Sequence, residues 1–368
     1  RFIILILSIF IFIAAIKSYE IKEKNYLYLP LSVCFTLAIL LIDLYFQLGI
    51  KPWLSNCFDF YVGDIANNQG RIFTWHEHNI MYKNGEMGGE SGYYNRGIAF
   101  LLIISPVSAA LVWKNKILII LLFLLCLGVI VLGPNKTAFF SVILTIPFFI
   151  GIVLFRRLLI TLMLVMTTIY TLLNPFILGN TSADLWIKKE NKYWEVAKLY
   201  DALNKEFTKE FIINHINFQI YRAKYQLLHR DVIWNYSKER IFERPIAGFG
   251  VFSSRELGKN NYVRNYNNDL YPVIPLHPHN NVIQMWLELG LLGAIILSLL
   301  YFRIWCFIIN IPINFKYYSA LLGSSFMFTF LFCQASYGFW QSWWISSIGF
   351  LCIFASLIFF KITRNRVD

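Results

Sequence analysis

Charge is scarce in this chain of 368 residues, because Asp, Glu, Lys and Arg together make up 15% of it. A soluble domain would carry about a quarter. No GxGxxG, P-loop, GxSxG or HExxH motif occurs, so nicotinamide chemistry, ATP hydrolysis and serine hydrolysis have no support in the sequence. The six cysteines form no CxxC pair, which argues against redox chemistry.

Long apolar runs take the place of charge, and 57% of the residues are hydrophobic. Runs of this length are typical of membrane-spanning helices. The sequence therefore predicts an all-α fold, a polytopic membrane helix bundle that forms one unit in the bilayer. The predicted spans are 2–16, 27–48, 97–113, 117–132, 137–155, 158–178, 282–308, 317–333 and 342–360.

The net charge of +12 has a simple explanation in this setting. Basic residues cluster in short loops that alternate through the bilayer, and the positive-inside rule places all of these loops in the cytoplasm. Most of the excess charge then needs no nucleic-acid partner. The opposite side receives a loop at 49–96, a tight turn at 133–136, a long loop at 179–281 and a short loop at 334–341.

We therefore divide the chain into membrane helices over 1–178, a large outer loop over 179–281 and further membrane helices over 282–368. The first residue is Arg1, and an apolar run follows it directly. We expect the chain to begin partway through a longer protein and to lack an odd number of N-terminal spans.

The large outer loop has helical patterns of its own. Apolar residues recur near helical spacing over Trp186–Phe211, which predicts an amphipathic helix. A second helix is predicted from about Phe218 to Phe242, with Pro245 after its end and a turn at Gly248–Gly250. The stretch Asn260–Asn268 is rich in tyrosine and asparagine, and is either a plain surface loop or a surface that stacks on sugars.

The stretch LHPHNNVIQMWLELGLLG places polar chemistry at the start of a hydrophobic helix. Asn280–Asn281 suits a helix N-cap, and the small residues Gly290 and Gly293 would let a neighbouring helix approach. Capping does not explain His277 and His279. An imidazole titrates near neutral pH, so either histidine could act as a general base, with a structural role as the alternative.

A metal site is a rival explanation for the histidines. His277 and His279 have a counterpart in His76 and His78, and four imidazoles could bind zinc. The two pairs are far apart in sequence, however, and no cysteine or compact ligand spacing accompanies them. We therefore predict that no metal is bound.

Several cations are predicted on the same outer side. Arg230 lies on a helix that is apolar on two sides, so we expect it to be partly buried, where its fork of donors suits a pyrophosphate. A salt bridge to Asp231 or Glu239 is the alternative. Arg96 precedes a span and Lys136 lies in a tight turn, and each alone is typical of an interfacial anchor. Together with the histidines, these residues suit a lipid-linked anion.

These motifs resemble the O-antigen ligase/polymerase family. The resemblance rests on RDVIWNYSKERIFERPIAGFGVFSS followed by HPHNNVIQMWLELGLLG, in which an Arg, a Trp four residues on, an E-R-P turn and a His-headed helix occur in order. YYNRGIAF and SYGFWQSWW are similar to the ligase branch. The resemblance implies a multi-pass inner-membrane glycosyltransferase of Gram-negative bacteria, of the GT-C type, that uses no nucleotide sugar, cofactor or metal.

The resemblance also implies a reaction. The donor would be polysaccharide on undecaprenyl pyrophosphate, the acceptor a sugar of lipid A–core, and transfer would take place with inversion at the periplasmic face. His279 matches the family's functional histidine and Arg230 its loop arginine. Lys136 stands where the family has another arginine, so we expect Arg96 to share in phosphate binding. The predicted supporting residues are His277, Asn280 and Trp234.

Two other functions remain open on the sequence. An O-antigen polymerase would use the same donor with a second lipid-linked repeat unit as acceptor. A transporter or flippase of a lipid-linked anion would use the same cations without a base, but such proteins usually have internal symmetry, and no repeat is visible here.

Overall fold

Helices make up most of the part of the chain that the computed structural model describes. That part consists of residues 27–46, 91–132, 135–179, 217, 229–259, 261–264, 270–274 and 276–364. The chain divides into two units, the first formed by Arg1–Phe140 with Gly349–Asp368 and the second by Ser141–Ile348.

The first unit contains three apolar helices that pack on one another. They are α1 (Tyr28–Phe46), α2 (Ser91–Leu111) and α3 (Lys116–Leu132). Their positions agree with three predicted spans, except that α2 begins six residues before the predicted 97. Arg96 therefore lies within a helix and not in the loop before it, which corrects the prediction.

Helix α4 (Lys136–Ile177) covers two predicted spans in succession. Its backbone leaves the helical conformation at Phe155, so it consists of two helices that meet at a kink. The buried Arg156 follows this kink, and its guanidinium donates hydrogen bonds to the carbonyl oxygens of Ile308, Ile309 and Ile311. The guanidinium thereby supplies donors to carbonyls that a helix end leaves without intrahelical partners.

The described part of the large loop combines helix with a small β-hairpin. Residues 229–243 form helix α5, which ends close to the predicted 242, and Ser253–Lys259 form the short helix α6. Strands β1 (Tyr262–Arg264) and β2 (Leu270–Pro272) then pair in antiparallel fashion. The hairpin is a small local addition to a described part that is otherwise helical, so the predicted all-α class holds. The predicted helix over 186–211 lies outside the described residues.

Three apolar helices complete the fold: α7 (Asn281–Ile309), α8 (Lys316–Cys333) and α9 (Ser342–Arg364). Each agrees with a predicted span within a few residues. Among the described residues, Thr137–Ile177 and Asn281–Ile309 are long and apolar enough to cross a membrane. The predicted span at 2–16 lies outside the described residues.

Helix α7 is interrupted at Gly290, where φ is +62° and ψ is −153°. The turn after α5 fills the interruption: the N–H groups of Leu291 and Leu292 donate to the carbonyls of Pro245 and Ile246 at 2.8 and 3.3 Å. A Cβ atom on Gly290 would lie 2.4 Å from the Ile246 carbonyl. The small residue therefore admits a loop, and not the neighbouring helix that we predicted.

Candidate functional site

The two histidines of HPHNN lie in contact at the head of α7. Their ring centroids are 4.4 Å apart, edge to face. His279 has a left-handed backbone, with φ of +57°, and its N–H donates to His277 Nδ1 at 3.2 Å. Between them, the carbonyl of Pro278 accepts a hydrogen bond from Trp234 Nε1 at 2.8 Å. Trp234 and His277 thus hold the turn that presents His279, at the cost of a strained backbone.

Asn280 caps the helix, as predicted. Its side-chain oxygen accepts hydrogen bonds from the N–H groups of Val282 and Ile283 at 2.9 and 3.0 Å. Both Asn280 and Asn281 are buried. The cap therefore ends the strained turn and starts the helix within two residues.

The hydrogen bond of His279 selects one form of its ring. His279 Nδ1 lies 2.8 Å from the carbonyl oxygen of Ser336. A carbonyl can only accept, so Nδ1 carries the proton and Nε2 is left as the proton acceptor. This is the form that a general base needs.

The loop between α8 and α9 closes over the histidine pair. Besides the carbonyl of Ser336, it contributes Gln341, whose Nε2 lies 3.2 Å from His277 Nε2. Gly338 lies so close to the His277 ring that an added Cβ would be 2.8 Å from Cγ. The SYGFWQSWW motif and the HPHNN motif are therefore two parts of one site.

A buried carboxylate, Glu288, ties three segments together below the histidines. It accepts hydrogen bonds from Gln284 Nε2 at 2.9 Å, from Phe252 N at 2.8 Å, from Ser254 Oγ and from Trp340 Nε1. Because every contact comes from a donor, the carboxylate needs no cationic partner.

Gln284 extends this network toward the loop. Its Oε1 accepts a hydrogen bond from Phe339 N at 2.7 Å while its Nε2 donates to Glu288. Neither Gln284 nor Glu288 was predicted to have a role. The signal that could have found Glu288 is a carboxylate inside an apolar helix, which is a functional candidate by default.

Arg230 lies near the histidines at the start of α5. Burial lowers the pKa of Arg230 to about 10, and the nearby Tyr337 phenol opposes part of that shift. No carboxylate figures among the described groups that act on Arg230, and Asp231 accepts a hydrogen bond from Gly179 N at 2.9 Å. The predicted alternative, a salt bridge to Asp231 or Glu239, therefore finds no support.

Burial and Arg230 keep the three neighbouring imidazoles neutral. Burial lowers the pKa of His277 and of His229 to about 4, and the charge of Arg230 adds to both shifts. Burial also lowers the pKa of His279 well below its ordinary value, followed by the charges of His277 and Arg230.

The remaining predicted residues are not brought into this geometry. Arg96 and Lys136 belong to the first unit, whereas the histidines and Arg230 belong to the second, and their share in phosphate binding stays a prediction. His76 and His78 lie outside the described residues. Within the described ranges, no group of three or more His, Cys, Asp and Glu side chains could hold a metal ion.

Comparison with known proteins finds similarity over a part of the chain that includes Arg230 and the two histidines. Residues 120–298 match a family model described as O-antigen ligase. Three similar proteins named "Putative polysaccharide ligase" come from Rickettsia conorii, Rickettsia felis and Rickettsia prowazekii.

These relatives share sequence with only part of the chain. The R. conorii protein is 37% identical over 120 residues and the R. felis protein 40% over 121, in each case 32% of this chain and 29% of the relative. The R. prowazekii protein is 37% identical over 133 residues, 35% of this chain and 32% of the relative. The chain thus matches about a third of the length of these relatives. No solved structure matches it significantly.

Proposed function

We propose that the protein is a member of the O-antigen ligase family, whose model matches residues 120–298, and that it transfers polysaccharide from undecaprenyl pyrophosphate to lipid A–core. The observation that carries the proposal is the arrangement at His279. Its Nδ1 faces a carbonyl, its Nε2 is left to accept a proton, and a half-buried Arg230 lies nearby. The reaction would take place at the periplasmic face of the inner membrane, in a bundle of the GT-C type.

In the proposed reaction the acceptor hydroxyl attacks the anomeric carbon of the donor sugar. A carbon–oxygen bond forms to the acceptor, and the bond from the anomeric carbon to the pyrophosphate oxygen breaks. The hydroxyl proton passes to His279 Nε2, a step worth roughly 10²–10⁴-fold in rate. Attack opposite the leaving group inverts the anomeric carbon.

Arg230 would stabilise the departing pyrophosphate. A pKa of about 10 leaves its guanidinium charged at neutral pH, and its donors match two phosphate oxygens at once. A charge that is already desolvated acts more strongly on the negative charge that develops in the transition state. We propose that Lys136 and Arg96 add to this positive charge.

The membrane setting agrees with such a donor. Helices α4 and α7, which are long and apolar enough to cross a bilayer, both contribute to the surroundings of the site, since Trp286 Nε1 donates to the Thr171 carbonyl at 2.8 Å. A lipid tail could remain among such helices while its pyrophosphate reaches the polar residues at the head of α7.

A lipopolysaccharide gel from a deletion strain tests the proposed function. Loss of a ligase leaves core without any attached O-antigen, whereas loss of a polymerase leaves core with a single repeat unit. Complementation with the wild-type gene should restore the full ladder, and His279→Ala should not, although the variant should reach the membrane in normal amounts. A single-repeat band in the deletion strain would replace the proposal with a polymerase.

A purified system separates an enzyme from a transporter. The protein in detergent should join lipid-linked polysaccharide to lipid A–core without an energy source. Transport of the donor across vesicles, with no joined product, would contradict the proposal.

A further inference from the structure

The segment 242–252, which links α5 to α6, exposes more apolar surface than a polar loop should. Phe242, Ile246, Val251 and Phe252 are 49%, 66%, 48% and 68% exposed. Large apolar side chains that cluster at a surface mark an interaction site. The question is what covers them.

One end of the segment lies against a membrane-crossing helix. The rings of Phe242 and Phe176 are 5.4 Å apart, and Phe176 is in the last turn of α4. Leu173, Phe176 and Ile177 are themselves exposed apolar residues of that helix. In a helix that crosses a bilayer, such residues face lipid.

The middle of the segment lies against the second membrane-crossing helix. Before the interruption at Gly290, residues 281–288 of α7 are all buried in the protein. Exposed apolar residues begin directly after it, with Leu291 and Leu292, and continue with Ile295 and Ile296. The lipid-facing surface of α7 therefore begins at the two residues whose N–H groups bind the segment.

The length of α7 supports a bilayer surface at the level of Leu291. From Leu291 to Ile309 the helix has about the length that crosses a hydrocarbon core of roughly 30 Å. The half-helix before Gly290 is enclosed by protein. The segment 242–252 lies at the boundary.

The charges and the backbone of the segment agree with a lipid neighbour. Arg244, in the segment, and Arg255, in α6, are exposed, and Arg244 stacks on the Phe249 ring at 4.9 Å. The exposed Glu243 is paired with Arg240 at 2.8 Å. Phe252 has a left-handed backbone, with φ of +66°, and its N–H is bound by Glu288. A bulky residue rarely adopts that conformation, and here it keeps the Phe252 ring at the surface.

We propose that residues 242–252 lie in the boundary between headgroups and acyl chains of the bilayer. Ile246, Val251 and Phe252 enter the acyl side, and Arg244 and Arg255 meet the lipid phosphates, as in amphipathic segments that lie in a membrane interface. The surface is continuous with the lipid-facing sides of α4 and α7. This inference depends on the membrane location of the chain and not on its reaction.

Photocrosslinking in the membranes of expressing cells tests the proposal on the full chain. p-Benzoylphenylalanine replaces Phe252, a residue of similar shape that is already exposed. Illumination should add the mass of one phospholipid to the purified protein. The same residue at Leu292, on the lipid-facing side of α7, is the positive control, and at Glu256, a charged residue that is 70% exposed, the negative control.

Position 252 should give a lipid adduct in a yield comparable to that at position 292, and position 256 should give none. Absence of a lipid adduct at 252, while position 292 gives one, would place the segment in water. An adduct to a protein, or to a second copy of this chain, would show a protein partner instead. Either result overturns the proposal. The same crosslinker at Ile246 repeats the test at a second position of the segment, so that the outcome does not depend on one side chain.

Discussion

Arg230 and His279 carry the proposed chemistry, and the surroundings of each residue determine how its charge and its protons can act. Arg230 is half-buried and has no carboxylate among the described groups that act on it, which agrees with the proposed binding of an anionic ligand. His279 is neutral, with one nitrogen already committed to Ser336. Both properties lead to measurable consequences.

Replacement of Arg230 by lysine should fail nearly as badly as replacement by alanine. Lysine loses the fork of donors, and the burial that lowers the pKa of Arg230 to about 10 would lower the pKa of a lysine further toward neutrality. We expect a fall in transfer rate on the order of 10²–10³ for both variants, measured with purified protein. Near-normal transfer by Arg230→Lys would exclude bidentate binding of pyrophosphate.

The pH dependence of kcat/KM should report the neutral form of His279. A base works only when unprotonated, and burial lowers the pKa of His279 well below 6.5, so protonation sets in only at lower pH. Activity should be flat from pH 8 down through pH 6.5 and decline only below it. An acid limb centred at or above 6.5 would contradict the environment described for this ring.

At the scale of elements, the interruption of α7 and the carboxylate next to it connect the helix to two loops. Glu288 binds Phe252 N in the segment after α5 and Trp340 in the loop before α9. Gly290 admits the turn at 245–250. One helix thus sets the positions of the residues that surround the histidines.

Glu288→Gln should loosen both loops. The new amide nitrogen would face N–H or O–H donors, and a buried donor without an acceptor costs about 1–3 kcal/mol. We expect a lower midpoint of thermal unfolding in detergent together with reduced transfer. Glu243→Gln is the matched control, because Glu243 is on the surface in a pair with Arg240 at 2.8 Å, and it should change neither quantity. Unchanged stability in Glu288→Gln would show that the network is dispensable.

Gly290→Ala should destabilise the protein strongly. The backbone at φ +62° and ψ −153° is almost exclusive to glycine and costs a residue with a Cβ about 1–3 kcal/mol, and contact with the Ile246 carbonyl adds to this. Gly250→Ala separates the two effects, because Gly250 also has positive φ but no atom within 4 Å of an added Cβ. The midpoint of thermal unfolding should therefore be much lower for Gly290→Ala than for Gly250→Ala. Equal midpoints would show that the close contact at Gly290 contributes nothing to stability.

At the scale of the whole molecule, the two histidine pairs, which are far apart in sequence, allow a decisive test for metal. If His277 holds the turn and His279 acts as the base, prolonged treatment with a chelator should leave transfer by the purified protein intact. His76→Ala together with His78→Ala should then be equally harmless to transfer. Loss of activity on chelation, restored by zinc, would support a four-histidine site instead.

The helices could be predicted because a long apolar run in a bilayer must satisfy its own backbone hydrogen bonds, and a helix does so. Runs at 117–132 and 317–333 matched α3 and α8 almost to the residue. The cap at Asn280 and the turn after 242 were equally visible, since they depend on neighbours in sequence.

Contacts between distant segments could not be predicted. Ser336 is 57 residues from His279, and its contribution is a carbonyl group, which every residue has. Gly290 suggested a close approach, but the sequence did not say whether a helix or a loop would approach. The pairing of β1 with β2 likewise depends on backbone hydrogen bonds that the side-chain pattern of Asn260–Asn268 does not reveal.

The contact between Gly290 and the turn at 245–250 also limits how the sequence can diverge. An added Cβ at Gly248 would lie 2.5 Å from the backbone of Glu288, just as one at Gly290 would meet Ile246. The two glycines are therefore halves of one constraint, and homologues should keep or lose them together. Insertions and deletions should be absent from the two backbone stretches in contact and should accumulate elsewhere in the loop. An alignment of relatives should therefore show Gly248 and Gly290 conserved or replaced together.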